Sequence, residues 1–213
     1  MKDSIKDHAS AKNELRERII VTAMDAFTKN GIKGITMDDI ANSLSISKRT
    51  LYETFEDKEE LLAECVKFRQ DEMKRYGEEL LEKADNVLEV ILKFYQLSIE
   101  YYHKTNKRFF DEVNKYPRVC ALMRENRDEN SENTIEFFKK GVDQGIFRKD
   151  VNFEIIYMLV REQVDLLLQT NLCNKYSFVE VYESIMFTFM RGISTLKGQQ
   201  ILEDFIQEYR QQK

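Results

Sequence analysis

Proline occurs once in this chain, at Pro117, and glycine only seven times in 213 residues. Sheet-rich folds turn every few residues and draw on both. A chain this poor in them has few places to reverse except at helix ends. The long stretches between are built from Glu, Lys, Leu, Ile, Phe and Met, residues that lose little on entering a helix. The expected fold class is therefore all-α. The length allows one or two domains and a sizeable core without metals or cross-links.

Charge and cysteine usage narrow the function. The chain carries 33 basic and 38 acidic residues, a net charge of −5. That excludes a protein coated in positive charge, but a local basic surface is enough for nucleic acid. Residues 1–50 hold 9 Lys or Arg against 7 Asp or Glu, a local +2, which leaves −7 for the remainder. Cys65, Cys120 and Cys173 are far apart, and the histidines are His8 and His103 alone. No Cys-x-x-Cys pair exists, so a structural zinc site is not expected. Free thiols suit a reducing compartment. The N-terminal run MKDSIKDHASAKNE has no apolar segment of signal-peptide type, and no stretch of 18 apolar residues occurs. A cytoplasmic protein without a membrane span or cofactor is the expectation.

Residues 1–13 are polar and aperiodic and read as a flexible arm. Leu15, Ile19, Ala23, Ala26 and Phe27 recur at helical spacing, predicting a helix over 14–30 with Gly31 as a left-handed stop. Thr36 and Asp39 have capping-box spacing for a short helix over 37–44. Ser47 can cap another over 48–55. Asp57 and Glu60 predict a cap for a long helix over 58–81. Further helices are expected at 86–104, 106–115, 118–141, 152–171, 177–196 and 198–211, with Ser177 among the caps.

Two short helices joined by a tight turn, after a longer one, form a helix-turn-helix. Its second helix must enter a major groove about 12 Å wide and offer donors there. In SKRTLYETF, Leu51 and Phe55 stand at i and i+4 and face inward. Lys48, Arg49, Thr50, Tyr52 and Glu53 are left outward.

The run ITMDDIANSLSISKRTLYETFEDKEELL closely resembles the tetracycline-repressor (TetR) family of bacterial regulators. The residues that carry the resemblance are Ile40-Ala41, Ser47-Lys48, Thr50-Leu51-Tyr52, Phe55 and Lys58-Glu59 with Leu61. It covers roughly residues 14–65. Three positions depart from the family's usual pattern: Ser45 replaces a common turn Gly, Arg49 a common Gly or Ala, and Thr54 a common Tyr or His. The resemblance implies a DNA-binding domain over 14–60 and a helical ligand-binding and dimerisation domain over 61–213. It also implies DNA contact by Thr36, Ser47, Lys48, Arg49, Thr50, Tyr52 and Lys58. Thr36, Tyr52 and Lys58 would meet phosphate; Lys48, Arg49 and Thr50 would meet bases or backbone.

The segments 152–171 and 177–196 are apolar over so much of their circumference that they are central or at an interface. The resemblance implies that they pair across a two-fold axis, with Val160, Val164, Leu167, Val181, Ile185 and Phe189 at the contact. The expected partners are a palindromic duplex operator, a second copy of the chain and a small hydrophobic ligand. Phe94, Tyr101, Phe110, Phe138 and Tyr157 are the aromatic candidates for a ligand pocket, although a packed core would use the same residues. A rival reading takes Glu100 and His103, a Glu-x-x-His pair, as half of a metal or enzymatic site. The second pair such sites need is missing, as are nucleophile motifs and phosphate loops, so an enzyme is not expected.

Overall fold

The computed structural model describes residues 2–129, 131–169 and 175–211, with side chains described for residues 10–125, 133–163 and 175–211. The helices in chain order are α1 (Lys2–Asn30), α2 (Met37–Ser43), α3 (Lys48–Thr54), α4 (Lys58–Lys83), α5 (Val87–Lys104), α6 (Lys107–Val113), α7 (Pro117–Glu129), α8 (Ser131–Asp143), α9 (Phe153–Gln169), α10 (Phe178–Ile193) and α11 (Leu196–Gln211). No strand occurs among the described residues, and one isolated bridge pairs Phe147 with Ser194. The fold is all-α, as composition predicts.

Two elements differ from expectation. The first helix begins at Lys2, so residues 2–13 are helical rather than a flexible arm. They contain no Gly or Pro, and Ala and Lys favour helix, so polarity without periodicity did not mean irregular backbone. Residues 10–14 are all exposed; local propensity, not burial, extends the helix there. The helix expected over 118–141 is described as α7 and α8, on either side of residue 130.

The chain divides into two compact units, Met1–Tyr76 with Glu100–Asp128, and Gly77–Ile99 with Glu129–Lys213. The first holds α1 to α3. Its core takes Ile19, Ala23 and Phe27 from α1, Ile40 and Ala41 from α2, Leu51 and Phe55 from α3 and its end, and Leu61, Leu62 and Cys65 from α4. The Leu, Ile and Phe side chains among them contribute about 1.5–3 kcal/mol each when fully buried. Phe109 and Val113 of α6 join the same cluster. The α6 cap residue Asn106 donates its backbone N–H to Thr28 O (2.7 Å) and its amide to Lys29 O (3.1 Å). Glu112 accepts the Lys33 N–H at 2.7 Å. Gly31 is required between them. Its φ is +82°, and a Cβ there would lie 2.8 Å from Arg108 Cβ.

The second unit packs α5 residues 87–99 with α8 to α11. Tyr95, fully buried, lies among the rings of Tyr182, Phe187, Phe205 and Tyr209 at centroid distances of 5.1–6.2 Å. Its hydroxyl donates to Glu183 Oε1 at 2.8 Å. Burial first, and that carboxylate next, push the phenol above its ordinary range. Ser177 and Glu180 make a reciprocal capping box at the start of α10.

Candidate nucleic-acid interface

Helix α2 is opened by Thr36. Its hydroxyl accepts from the Asp39 N–H at 3.1 Å, while the Asp39 carboxylate accepts the Thr36 N–H at 2.8 Å. The Thr36 hydroxyl also donates to that carboxylate at 2.6 Å. These bonds hold the Asp39 carboxyl below the usual carboxylate range. The turn after α2 is closed by Ser45 N–H to Asn42 O and Ile46 N–H to Ala41 O, both 3.0 Å. Ser45 has a positive φ, +54°, although it is not a glycine. This is the position where the resembled family commonly has Gly.

Ser47 caps α3, its hydroxyl accepting from the Thr50 N–H at 3.0 Å and meeting the Thr50 hydroxyl at 2.8 Å. Leu51 and Phe55 are buried at 0% and 1% exposure, so the helix is anchored by one stripe and shows the other. On the shown face are Lys48, Arg49 and Tyr52, all exposed, with Thr50 half-buried. Lys48 Nζ is 2.9 Å from the Asp38 carboxylate and 5.9 Å from the centre of the Tyr52 ring. Arg49 Nε donates to Glu53 Oε1 at 2.8 Å. Asp38 and Glu53 were not singled out from sequence as partners of these cations. The i,i+4 spacing of Arg49 and Glu53 was the available signal; the Lys48–Asp38 pair, between different helices, left none.

Lys58 opens α4 with Asp57 as its cap, and the Glu60 N–H donates to Asp57 Oδ1 at 2.7 Å. The Glu60 carboxylate returns to the Glu56 N–H at 2.5 Å rather than to that of Asp57. Lys58 is half-buried, with Nζ 5.8 Å from the Phe27 ring centre. Desolvation lowers its pKa, opposed by Glu112 and Asp39. All seven candidate DNA-contact residues thus belong to one compact unit.

The pocket candidates divide. Tyr101 and Phe110 belong to the first unit, packed edge to face at 6.4 Å, with the Arg69 guanidinium 4.8 Å over the Tyr101 ring. Phe94, Phe138 and Tyr157 belong to the second, where Phe138 stacks on Phe153 at 5.3 Å. Also in the second unit, an open groove of about 540 Å³ lies between α9 and α10. Ile156 and Gln163 line one side, and Val181, Ile185, Thr188 and Phe189 the other. Three of the interface candidates, Val181, Ile185 and Phe189, are therefore together and half-buried. Val160 is half-buried on α9; the side chains of Val164 and Leu167 lie outside the described residues. Ile155, Met158 and Leu159 of α9 are 54%, 56% and 47% exposed.

Glu100 pairs with Lys104 at 3.3 Å, and His103 packs its edge on Tyr102. Among the described residues, no group of three potential metal ligands forms. Burial pushes the Cys65 thiol up to about 12, which leaves it protonated and unreactive at neutral pH. Cys120 is half-buried, and Cys173 lies outside the described residues. Among the described residues, no helix is long and apolar enough to cross a membrane.

Comparison with known proteins agrees with this geometry. Residues 19–65 match the family described as "Bacterial regulatory proteins, tetR family". The chain is 24% identical over 160 residues to the HTH-type transcriptional repressor KstR2 of Mycobacterium tuberculosis, covering 72% of this chain and 80% of that one. It is 38% identical over 53 residues to the Staphylococcus aureus biofilm-operon negative regulator IcaR, covering 25% and 28%. A solved regulator from Saccharomonospora viridis in complex with choline has the same fold, with a TM-score of 0.67 at 19% identity over 86% of this chain and 99% of that one. The matched segment, residues 19–65, coincides with the helix-turn-helix whose exposed face has just been described, and over that segment the chain is similar to the tetR family of bacterial regulatory proteins.

Proposed function

We propose that this regulator is a homodimeric repressor that holds a palindromic operator and releases it on binding a small hydrophobic ligand. The observation that carries the reading is α3 itself. One stripe of this seven-residue helix is buried through Leu51, and the other presents Lys48, Arg49 and Tyr52 to solvent. Arg and Lys fit guanine edges and phosphates, and the Tyr phenol fits phosphate. Thr36, Ser47 and Thr50 add hydroxyls at the starts of α2 and α3, and Lys58 adds a cation. Two-fold pairing through α9 and α10 would double this surface, and half-sites mirror protein symmetry. The exposed apolar residues Ile155, Met158 and Leu159 support such a pairing. KstR2 and IcaR, both negative regulators by name, support repression as the direction of control.

In this reading residues 14–60 bind DNA and residues 61–213 dimerise and receive the ligand, all in the cytoplasm. The aromatic supply of the later helices favours an apolar ligand. Release would be a population shift, proportional to the ligand's differential affinity for the non-binding conformer. The test is selection from random duplex DNA by the full-length protein, followed by a lipophilic compound screen against the selected site. A palindromic consensus, lost on adding a compound that raises the melting temperature, is expected. Failure to enrich any sequence would refute the DNA reading. A consensus that no compound in a broad library displaces would leave a constitutive repressor.

A further inference from the structure

Arg49 and Glu53 stand one turn apart on the exposed face of α3, with 87% and 61% of their side chains open to solvent. Their single contact is Nε to Oε1 at 2.8 Å. Neither terminal amino group of Arg49 has a hydrogen-bond partner among the described residues. The pair has little to do with folding. Exposed ion pairs contribute little, and Arg preceding Glu is the weaker order on a helix. For a surface that meets a polyanion, a carboxylate is also a cost, because it cancels the attraction of the neighbouring cation.

The chemistry of the guanidinium gives that carboxylate a use. An arginine can offer a base either its side, Nε with one amino group, or its end, both amino groups together. With Nε held by Glu53, only the end remains. Two parallel donors match the O6 and N7 acceptors of guanine and meet a donor on adenine's N6. The carboxylate also restricts a side chain that would otherwise sample many rotamers, so less freedom is lost on docking.

We propose that Glu53 is a specificity-setting, positioning residue: by holding Arg49 at Nε it leaves the two terminal amino groups to read one guanine in each operator half-site. This rests on α3 being the recognition helix. Lys48 is the contrast. Its ammonium is a point charge without a fork, and its partner Asp38 lies on α2, so it suits phosphate contact rather than readout.

The test compares full-length wild type with Arg49→Ala, Glu53→Ala and Glu53→Gln. Each selects sequences from random duplex DNA, and each is titrated against the wild-type consensus and against random duplex at fixed salt. Wild type is expected to enrich one guanine per half-site that Arg49→Ala no longer enriches. Glu53→Ala should lower the preference for that guanine roughly fivefold or more, the lower end of a lost bidentate contact, while binding random duplex more tightly. Glu53→Gln keeps an amide oxygen able to accept from Nε and should retain the preference to within about twofold. Its random binding should still rise, because the negative charge is gone. Two outcomes overturn the proposal with the DNA reading intact: unchanged preference in Glu53→Ala, or equal loss in both Glu53 variants. Absence of any wild-type consensus would overturn the reading of α3 itself, and the proposal with it.

Discussion

The Lys58 ammonium lies 5.8 Å from the centre of the Phe27 ring, and Phe27 is fully buried. The first charge of α4 therefore sits against the core of the helix-turn-helix unit rather than free in solvent. Burial opposes its protonation more than Glu112 and Asp39 favour it, so its pKa is lowered from 10.5. Its apolar stem serves the core, and its charge is the part proposed to meet phosphate.

Lys58→Met separates the two roles. The folded state disfavours the charged form. The resulting penalty is full below the folded pKa and is relieved as pH rises from that value towards 10.5. Met keeps the apolar stem over Phe27 and removes the charge. Stability at neutral pH should be unchanged or higher, and its rise on the alkaline side should flatten. DNA binding should weaken about equally for operator and random sequence, with the salt slope falling by about 0.9 for one lost phosphate contact. Urea titrations at several pH values and binding isotherms at several salt concentrations measure both. An unaltered salt slope would remove Lys58 from the interface.

Ser45 carries the backbone cost of the turn between α2 and α3. At φ +54° an L side chain crowds its own carbonyl, at a cost of roughly 1–2 kcal/mol. Glycine would relieve it but lose about 0.5–1 kcal/mol through a freer unfolded chain. Ser45→Gly should therefore stabilise by about 0.5–1 kcal/mol and leave operator affinity unchanged, because the hydrogen bonds that close the turn are backbone ones. Ser45→Ile, branched at Cβ, should destabilise. Denaturant midpoints at constant slope check both. A destabilised Ser45→Gly would show that the serine side chain contributes something the turn geometry does not reveal.

The Asp39 carboxyl is held low by the Thr36 hydroxyl and the Thr36 N–H. A depressed folded pKa gives stability that is present above the unfolded value of 3.8 and is lost as pH falls through the folded value. Acid should therefore open the α2 cap, and Thr36→Ala, which removes the hydroxyl bonds, should weaken that acid dependence. Amide exchange at residues 37–39 as a function of pH follows the cap directly. Identical acid profiles for wild type and Thr36→Ala would assign the dependence to other carboxylates.

The parts legible in the sequence are those fixed by neighbours. The caps at Thr36, Ser47 and Ser177, the stop at Gly31 and the inward pair Leu51 and Phe55 each follow from residues within one turn. The unusual turn at Ser45 was visible as a departure from the family pattern. Long-range bonds left no such trace. Glu112 reaches the Lys33 N–H across 79 positions, and nothing in the spacing of α6 announces it. Aromatics were ambiguous for a physical reason, since a ring at helical spacing can fill a core or line a cavity. Phe138 packs on Phe147 and Phe153, whereas Tyr101 and Phe110 pack together in the other unit. Residues 2–13 are polar and aperiodic yet helical, because local propensity can hold a helix that no burial pattern announces.

Dimerisation through α9 and α10 is the remaining prediction, and the two helices offer variants of different kinds. Met158 is 56% exposed in the single chain, so Met158→Glu leaves the protomer's own packing intact. Ile185 lines the groove between the helices and is half-buried, so its replacement by Glu tests the groove itself. A stable homodimer buries on the order of 1,200–2,000 Å² or more, with an apolar centre. An unpaired carboxylate placed there is not compensated by any partner and costs several kcal/mol. Both variants should therefore sediment as monomers at concentrations where the wild type is dimeric. Both should lose most of their affinity for a full palindrome while binding an isolated half-site about as weakly as the wild type does. Far-ultraviolet circular dichroism should show unchanged helix content for Met158→Glu, which ties its loss of operator binding to assembly rather than to unfolding. If both variants remain dimeric and bind the full palindrome normally, the two-fold contact lies on other helices, and the exposed apolar residues of α9 face a different partner.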